Sequence, residues 1–421
     1  MYKYMLINLF INFVAKEIDN KMESSYRIWK YFLIALLFSV NIFYAEARRI
    51  RVAFVGDPQV DNVKELDYAR NSIYKDLKKQ KDIDLIIFLG DIVNDKPSLL
   101  APSVALIDST EKDWFAVPGN HDFERVKGLP RQLYTWRENI GYVDTAIVRQ
   151  NIKFILMSNM FYLPNGDYEN KFTDSQLAWL DSVVVSTPAS QRIVIATHGP
   201  VDETLEEDSL AAIFSKHPGI IAVSGHTHTM SRIDGPESFK LEERIDVGAA
   251  CGSWWRGTLD RYGIPNARML CGSPRGYYVA TFSRKDYKLN FKNLSGRDQM
   301  SASLLKEENG QSYLLINVYA GKMGSDASLQ VKELKKDAIP SFEYPAEVYR
   351  LRAFYNKFDR KYRNKHRDLF IPPLYRKSRH LWRIDGVSDD LEGKTITVTY
   401  KDKHLSIKDN IIVEKVEKLE K

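Results

Sequence analysis

The sequence predicts an α/β fold over residues 50–230, followed by a second region that is mostly β. Two observations support this prediction. Short apolar runs that suit buried strands alternate with segments of helical spacing as far as about residue 230, which is typical of a layered α/β domain. Beyond about residue 240, short runs rich in Tyr, Thr and Val alternate in polarity, as at residues 277–282, 312–320 and 395–400. This pattern indicates a second domain of the sandwich type.

Length, charge and cysteine content limit the classes of protein that fit. A chain of 421 residues is too long for one ordinary core, so two domains are expected. The formal net charge of +6 is mild and favours an anionic ligand only weakly. Cys251 and Cys271 are the only cysteines, which excludes a disulfide scaffold and a metal cage built from thiolates.

The N-terminal segment has the pattern of a secretory signal. An apolar run at residues 31–45 follows Arg27 and Lys30 and ends in Ala-Glu-Ala at 45–47. We therefore predict a signal peptide at residues 1–47, with export to the periplasm or outside the cell. A retained membrane anchor is the alternative, because the run is near the lower length limit for spanning a bilayer. Met22 would make a more ordinary start, so the first 21 residues suggest an over-long start.

The remaining chain is divided into an α/β domain at 48–240 and a β-rich domain at 241–421. Within the first domain, helices are expected at residues 61–80, 98–110 and 203–216, and strands at 50–56, 85–89, 114–117, 152–157, 192–197 and 220–223. Thr173 and Gln176 form a capping box that predicts the start of a further helix.

Five of the predicted strands end in polar residues. The strand at 85–89, for example, is apolar throughout and is followed at once by Gly90 and Asp91. If the strands run in one direction, these ends meet at one face of the sheet, where α/β proteins bind ligands. The residues gathered there are Asp57, Gln59, Asp91, Asn120, His121, His198, His226 and His228.

These side chains suit a pair of divalent metal ions. They offer carboxylate, amide and imidazole groups without sulfur, as hard and borderline metals prefer. Two ions about 3.5–4 Å apart need a shared ligand, and an aspartate has two oxygens for this purpose. Asp91 is the candidate bridge. His226 and His228 are two residues apart, and in a loop they can diverge to reach separate ions.

The segments at 57–59, 90–94, 119–122, 198 and 225–228 together resemble those of the calcineurin-like metallophosphoesterases. The resemblance implies a four-layer α/β/β/α domain. It implies one metal held by Asp57, Gln59, Asp91 and His228. It also implies a second metal held by Asp91, Asn120, His198 and His226.

One position departs from the family pattern. Gln59 replaces the usual histidine of Asp-x-His, and an amide oxygen is a weaker ligand than imidazole. The first site is therefore expected to be looser and to favour Mn²⁺ over Fe or Zn. Asn94 stands where an aspartate is frequent, and we expect it to lie behind the ligands.

The mechanism that the resemblance implies is hydrolysis by a water shared between two cations, which lower its pKa toward neutrality. His121 is expected to stabilise the charge or to protonate the leaving oxygen as a general acid. Asp122 is expected to orient His121 or another ligand.

The later part of the chain resembles the C-terminal domain attached to calcineurin-like phosphoesterases of Bacteroidetes. The resemblance rests on residues 247–255, 263–265, 272–277, 317–320, 380–382 and 391–393. Trp254, Trp255 and Arg256 either line a substrate pocket or form a domain interface. Cys251 and Cys271 either form a disulfide or remain buried thiols.

Two functions from different classes follow. The first is an exported phosphoesterase acting on a phosphorylated small molecule, nucleotide or lipid, as a monoester or diester. The second is a metal-binding protein of weak activity that contacts glycans or the cell envelope. The basic run at 350–379 suggests an acidic polymer or, more simply, a solvated surface, with no clear indication of nucleic-acid binding. Membrane contact is expected only through the N-terminal segment.

Overall fold

The computed structural model describes residues 31–32, 49–126, 129–235, 239–283, 286–371 and 376–418. The predicted signal peptide at 1–47 therefore lies outside the described residues, apart from Tyr31 and Phe32. Among the described helices, none combines the length and apolar character needed to cross a membrane. From Ile50 onward the chain forms one compact unit.

The strands of the first part are β1 (Ile50–Val55), β2 (Leu85–Leu89), β3 (Asp113–Val117), β4 (Thr145–Arg149), β5 (Ile152–Leu156), β6 (Met160–Tyr162), β7 (Tyr168–Asn170), β8 (Arg192–Ala196), β9 (Ile220–Ser224), β10 (Met230–Asp234) and β11 (Leu241–Val247). The later strands are β12 (Gly276–Phe282), β13 (Tyr287–Asn293), β14 (Met300–Lys306), β15 (Ser312–Val318), β16 (Ser328–Val331), β17 (Ile339–Ser341), β18 (Leu381–Asp385), β19 (Thr395–Lys401) and β20 (Ser406–Lys415).

The α-helices are α1 (Val63–Ala69), α2 (Lys75–Lys79), α3 (Leu100–Asp108), α4 (Tyr134–Asn139), α5 (Asp174–Ser186), α6 (Glu207–Phe214), α7 (Glu347–Asn356) and α8 (Arg360–Lys365). A π-helical turn at Arg70–Tyr74 joins α1 to α2, so the helix expected at 61–80 is present with one wider turn. The predicted capping box is confirmed, because Gln176 N–H and Thr173 N–H each bond to the other residue's side chain at the start of α5.

Two sheets face each other in the α/β part. The first has the order β13-β12-β1-β2-β3 and the second β10-β11-β9-β8-β5-β4. Strands β1, β2 and β3 are mutually parallel, as are β5, β8 and β9. Side chains such as Ile87 and Val194 fill the space between the sheets. Helices cover both outer faces. This confirms the four layers α/β/β/α.

Strand β2 illustrates why the sequence forms these layers. All five of its residues are buried, and successive side chains point to opposite faces of a strand. Ile87 therefore packs between the sheets, whereas Ile86 and Phe88 pack against the helices. A strand buried on both faces requires the continuous apolar run seen in the sequence.

Three strands that follow residue 240 belong to these two sheets. Strand β11 pairs in parallel with β9, while β12 pairs antiparallel with β1 and carries β13 at its side. The boundary at 240 stays a prediction, but the polypeptide that completes the two sheets extends to Asn293.

The rest of the chain is mostly β, as expected. Its strands are hydrogen-bonded in the order β16-β19-β20-β14-β15-β18-β17, and β20 is shared between the β19 side and the β14 side. The two parts are joined by a buried ion network. Arg232 on β10 bonds to Glu243 on β11 and to Asp402 after β19, at 2.8 and 2.7 Å. A long insertion with α7 and α8 separates β17 from β18.

Candidate metal centre

The polar residues that follow β1, β2, β3, β8 and β9 meet at one edge of the facing sheets. The prediction that distant strand ends converge is therefore confirmed as a matter of geometry. Asp91, His198 and His226 offer ligand atoms that all lie within 4.8 Å of one another. Three such groups are enough to begin the coordination shell of one divalent ion.

Asn120 joins this group. Its Oδ1 lies 3.1 Å from His198 Nε2, and that same nitrogen lies 3.4 Å from Asp91 Oδ2. His226 Nδ1 is 3.1 Å from His198 Nε2. The other ring nitrogen of His198 is 2.7 Å from the carbonyl oxygen of Leu89, which fixes the ring and directs Nε2 at the shared space.

A second group of candidate ligands contains Asp57 and His228. His228 Nε2 is 3.6 Å from Asp57 Oδ1, and His228 Nδ1 is held by the carbonyl oxygen of Gly252 at 2.8 Å. The backbone N–H of His226 donates to the Asp57 carboxylate at 3.1 Å. These contacts direct one carboxylate and one imidazole at a common point beside Asp91.

Gln59 contacts Asp91, and the nitrogen of its amide, rather than the oxygen, faces that carboxylate. Its Nε2 donates to Asp91 Oδ2 and to Asn94 Oδ1, each at 3.4 Å. Its Oε1 faces the thiol of Cys251 at 3.8 Å. A rotation of the amide by half a turn exchanges the two atoms, and it would bring the oxygen to face a cation. Asn94 contacts Gln59, consistent with a position behind the ligands.

The backbone at these positions is unusual. Asp57, Gln59, Asp91, His226 and His228 all have positive φ angles, between 44° and 64°. For residues other than glycine this region costs of order 1–3 kcal/mol each and clusters at functional sites. The strain is maintained because tight loops hold each side chain toward the centre.

Two glycines allow those loops to approach closely. A Cβ atom on Gly119 would lie 2.2 Å from Asp91 Oδ1. A Cβ atom on Gly90 would lie 2.5 Å from His198 Nδ1, and Gly90 also has a φ of +86°. The glycines that end the predicted strands are therefore required by the packing of the site.

Burial and mutual charge determine the ionisation of the cluster. Burial, aided by the charge on Asp91, raises the pKa of Asp57 well above its usual value. Burial opposes ionisation of Asp91 as well, but His198 holds the pKa of Asp91 below its usual range. Burial lowers the pKa of His226 to about 3 and of His228 to about 4. Both rings are thus neutral, the form that binds metal.

The same charges act on His198 in the opposite direction. Burial by itself would lower the pKa of His198, but the carboxylates of Asp91 and Asp57 raise it to about 9. A proton on His198 thus offsets part of the buried negative charge. Bound divalent cations would offset it more fully, so the donor set fits metal ions well.

His121 and Asp122 take different positions. His121 borders the cavity above the cluster, and its Nδ1 is 3.4 Å from Asp95 Oδ1. Asp122 accepts from the backbone N–H groups of Gly119 at 2.8 Å and Val93 at 3.1 Å. Of the two roles expected for Asp122, orienting His121 is contradicted because both oxygens of Asp122 bind backbone, whereas orienting another ligand stays a prediction. Asp122 fixes two loops, and Asp95 is the carboxylate that contacts His121.

Trp254, Trp255 and Arg256, the three expected substrate residues, lie in different environments. Trp254 borders the cavity, with its ring 5.2 Å from the ring of His228. Arg256 stacks on Trp254 at 5.7 Å. Trp255 is only 3% exposed and donates from Nε1 to the carbonyl oxygen of Pro58 at 2.9 Å. Trp255 is thus packed in the interior and does not line the cavity, which matches the alternative of an interface role.

Cys251 and Cys271 are both buried thiols and form no disulfide here. Cys271 accepts a hydrogen bond from the backbone N–H of Met230 at 3.3 Å. Burial raises the pKa of both thiols, so neither is prepared to act as a thiolate ligand.

A cavity of about 350 Å³ opens above the cluster. Its lining residues are Gln59, Asp91, Asn120, His121, Tyr168, His226, Thr227, His228, Trp254, Leu270 and Arg376. No role is predicted from the sequence for Tyr168 or Asp95, and Arg376 is included only in the basic run at 350–379. Asp95 was detectable as an unassigned carboxylate four residues after Asp91. Arg376 follows no strand, and only the fold brings it to the cavity.

Comparison with known protein families agrees with this geometry. The model of the calcineurin-like phosphoesterase family matches residues 50–230. The model described as the C terminal of calcineurin-like phosphoesterase matches residues 245–405. No curated protein matches the chain. The two matches follow one another along most of the chain, and the first contains every residue of the metal cluster. The chain therefore belongs to the calcineurin-like phosphoesterases, metal-dependent hydrolases of phosphoric esters, and carries the C-terminal domain found with them.

Proposed function

We propose that this protein is an exported phosphoesterase that uses two divalent metal ions to hydrolyse phosphomonoester or phosphodiester bonds. One observation carries the proposal. Asp91 Oδ2 lies 3.4 Å from both His198 Nε2 and Gln59 Nε2, so a single carboxylate faces both groups of candidate ligands. Such a carboxylate is what a pair of closely spaced ions requires.

The ligands divide naturally into two sets. Asn120, His198 and His226 lie on one side of Asp91, and their contacts are all within 3.4 Å. Asp57, Gln59 and His228 make up the other set. Two cations held there would supply an activated water and neutralise the phosphoryl oxygens.

The protein's own residues perform the remaining steps. His121 borders the cavity, and its ring is 30% exposed, so it can reach a bound ester. Burial alone lowers the pKa of His121, but the adjacent Asp95 and Asp91 raise it overall, which favours a protonated ring. From that position it would donate a proton to the leaving oxygen. Asp95 would hold the ring in place, and Asp122 would hold the two loops that carry Asp91 and Asn120.

The donor set supports a choice among a few metals. Oxygen and imidazole donors without thiolate suit Mn²⁺, Fe²⁺ or Zn²⁺. We favour Mn²⁺ because Gln59 supplies a neutral oxygen where the family commonly has a nitrogen.

Hydrolysis of p-nitrophenyl phosphate and bis-p-nitrophenyl phosphate tests this proposal. The chain beginning at Arg48 would be loaded with each metal in turn. We expect the protein to hydrolyse at least one of the two esters. We also expect it to bind two metal ions per chain. Asp91→Asn should lower turnover by at least about a thousandfold, because it weakens both sites. Asp113→Asn is the matched control, since Asp113 is exposed at the far end of β3. Metal binding without turnover of any phosphate ester would favour the metal-binding protein of weak activity.

Export is proposed from the basic, apolar and Ala-Glu-Ala pattern of residues 27–47. The test is N-terminal sequencing of the protein recovered from its own cells. A start near Arg48 in the exported fraction supports cleavage. A membrane fraction that retains residues 31–45 would instead support an anchor.

A further inference from the structure

Three of the eleven residues that line the metal cavity follow the metal-binding part of the chain. Trp254, Leu270 and Arg376 border it, and all three lie beyond residue 240. Arg376 is exposed, and its backbone N–H donates to the carbonyl oxygen of Leu270 at 3.0 Å. Its side chain therefore stands at the entrance, whereas Asp91 and His228 form the buried floor.

The charge on Arg376 is available to a ligand. Among the described residues no carboxylate forms an ion pair with it, and residues 372–375 contain no Asp or Glu. The other arginines nearby are engaged. Arg131 pairs with Asp95, and Arg256 stacks on Trp254. Arg376 is thus a guanidinium at the entrance that pairs with no carboxylate of the described residues.

The surface beside Arg376 is strongly basic. Residues 357–379, here termed the basic segment, contain nine Lys and Arg but two Asp, a net charge of +7 against +6 for the whole chain. Its exposed cations within residues 357–371 are Lys357, Arg360, Lys361, Lys365 and Arg367. The backbone carbonyl oxygen of Asp368 accepts from the N–H of Gly257 at 2.8 Å, three residues after Trp254. The basic segment is therefore joined to the cavity lining through Arg376 and to the loop after Trp254 through Asp368, a position from which it attracts anions toward the metal centre.

The position of Arg376 defines what it can bind. The phosphoryl group to be cleaved must reach the floor, where the metal ligands converge. A guanidinium at the entrance meets a part of the substrate beyond that group. Guanidinium also binds phosphate through two parallel hydrogen bonds, which makes arginine selective for such groups.

We propose that Arg376 binds a second phosphate of the substrate, so that the metal centre acts preferentially on small molecules that carry two phosphate groups. This inference rests on the proposed phosphoesterase function and specifies its substrate class. It assigns the basic segment to substrate attraction, in place of a solvated surface without a role.

Binding of two phosphonates tests the inference without turnover, because a C–P bond is not an ester. Propylphosphonate and propane-1,3-bisphosphonate differ only in the second group. Titration calorimetry on the metal-loaded protein should give at least about tenfold tighter binding of the bisphosphonate. One charge-assisted hydrogen bond between the second phosphonate and Arg376 is enough to account for a difference of that size. Metal content measured after titration checks that the ligand has not removed the ions.

Three variants then assign the preference to the side chain. Arg376→Gln should reduce it to about threefold or less, and Arg376→Lys should restore part of it. Arg379→Gln is the matched control, since Arg379 is exposed in the same segment and stacks on Phe342, at 4.9 Å, outside the cavity lining. The control should keep the full preference.

Equal binding of the two phosphonates by the wild-type protein, or an unchanged preference in Arg376→Gln, would overturn the inference. Hydrolysis of p-nitrophenyl phosphate, followed in parallel, separates the two claims. Turnover without the preference rejects the inference alone. The preference without turnover of any ester rejects the phosphoesterase function alone, and it leaves Arg376 as a binding residue.

Discussion

Asp95 and His121 are joined twice. Nδ1 of His121 lies 3.4 Å from Oδ1 of Asp95, and the backbone N–H of Asp95 donates to the carbonyl oxygen of His121 at 3.0 Å. The loop that carries Asp91 is thereby fixed to the loop that carries Asn120 and His121. The same contact orients the ring that borders the metal cavity.

We expect Asp95→Asn to lower kcat for phosphate-ester hydrolysis by about tenfold to a hundredfold, because His121 loses the charge that orients it. The metal content should be unchanged, since Asp95 does not belong to the group of candidate ligands formed by Asp91, His198 and His226. Steady-state kinetics with metal analysis provide the measurement. His121→Ala combined with Asp95→Asn should be no slower than His121→Ala alone.

Asp95 also pairs with Arg131, so a control is needed. Arg131→Met removes that partner and leaves His121 in contact with Asp95. If Arg131→Met reduced kcat as strongly as Asp95→Asn, the contact with His121 would not be the cause. Additive losses in the double variant would also contradict the expectation.

Gly119→Ala should disrupt the metal centre by steric overlap alone. The φ of Gly119 is −96°, which alanine adopts without strain, but the new Cβ would lie 2.2 Å from Asp91 Oδ1. We expect a loss of about 1–3 kcal/mol in the free energy of unfolding and fewer retained metal ions. Urea denaturation and metal analysis measure the two effects.

Gly296→Ala is the matched control. A Cβ there would meet nothing closer than Asn293 Nδ2 at 3.8 Å. The control should match the wild-type protein in both measurements. An unaltered metal content in Gly119→Ala would mean that Asp91 moves aside without losing its role as a ligand.

The sequence predicted the architecture well because the strands are buried on both faces. A run such as residues 85–89 has few alternatives to a central strand, and the polar residues after it then fall at the sheet edge. Asp57, Asp91, His198 and His228 could be assigned for this reason. The layers and the convergence of the five strand ends followed from the same pattern.

The sequence failed where contacts depend on the tertiary arrangement of loops. Asp122 is adjacent to His121 in sequence, yet its oxygens bind the backbone of Val93 and Gly119. Adjacent side chains in a tight turn point in different directions, so neighbours in sequence need not touch. For Trp255 the sequence left a pocket and an interface open, and only the fold shows that it is buried beside Trp254, which borders the cavity.

Gln59→His should tighten the looser metal site. Gln59 is 2% exposed and already contacts Asp91, so an imidazole there can reach the same space. Imidazole is a stronger ligand than an amide oxygen for borderline metals. We expect the variant to retain about two ions per chain after dialysis where the wild-type protein retains fewer, with the largest gain for Zn²⁺.

Gln59→Leu provides the opposite control, because it removes the donor and keeps much of the volume. It should retain fewer ions than the wild-type protein. Equal retention by all three proteins would show that residue 59 is not a ligand, and it would leave Gln59 as a hydrogen-bond partner of Asp91 and Asn94.

Arg232→Met should destabilise the fold strongly at neutral pH. Arg232 is fully buried and bonds to Asp402 and Glu243, which are 4% and 1% exposed. Removing it leaves two buried carboxylates without their cation, which costs about 3–5 kcal/mol in the free energy of unfolding. Arg70→Met is the control, since its pair with Asp67 is about half exposed and should contribute about 1 kcal/mol or less.

The destabilisation by Arg232→Met should shrink as the pH falls. Burial by itself raises the pKa of Asp402, but Arg232 outweighs it and lowers that pKa below the usual value in the wild-type protein. The pair therefore stabilises the fold above the pKa of the unfolded chain and loses its effect as Asp402 becomes protonated. Without Arg232, burial raises the pKa of Asp402, so the folded variant takes up a proton at a higher pH than the unfolded chain. Urea denaturation at pH 7 and at about pH 4.5 should give the larger difference between variant and wild type at pH 7. A difference that does not change with pH would mean that lost packing, rather than unpaired charge, destabilises the variant.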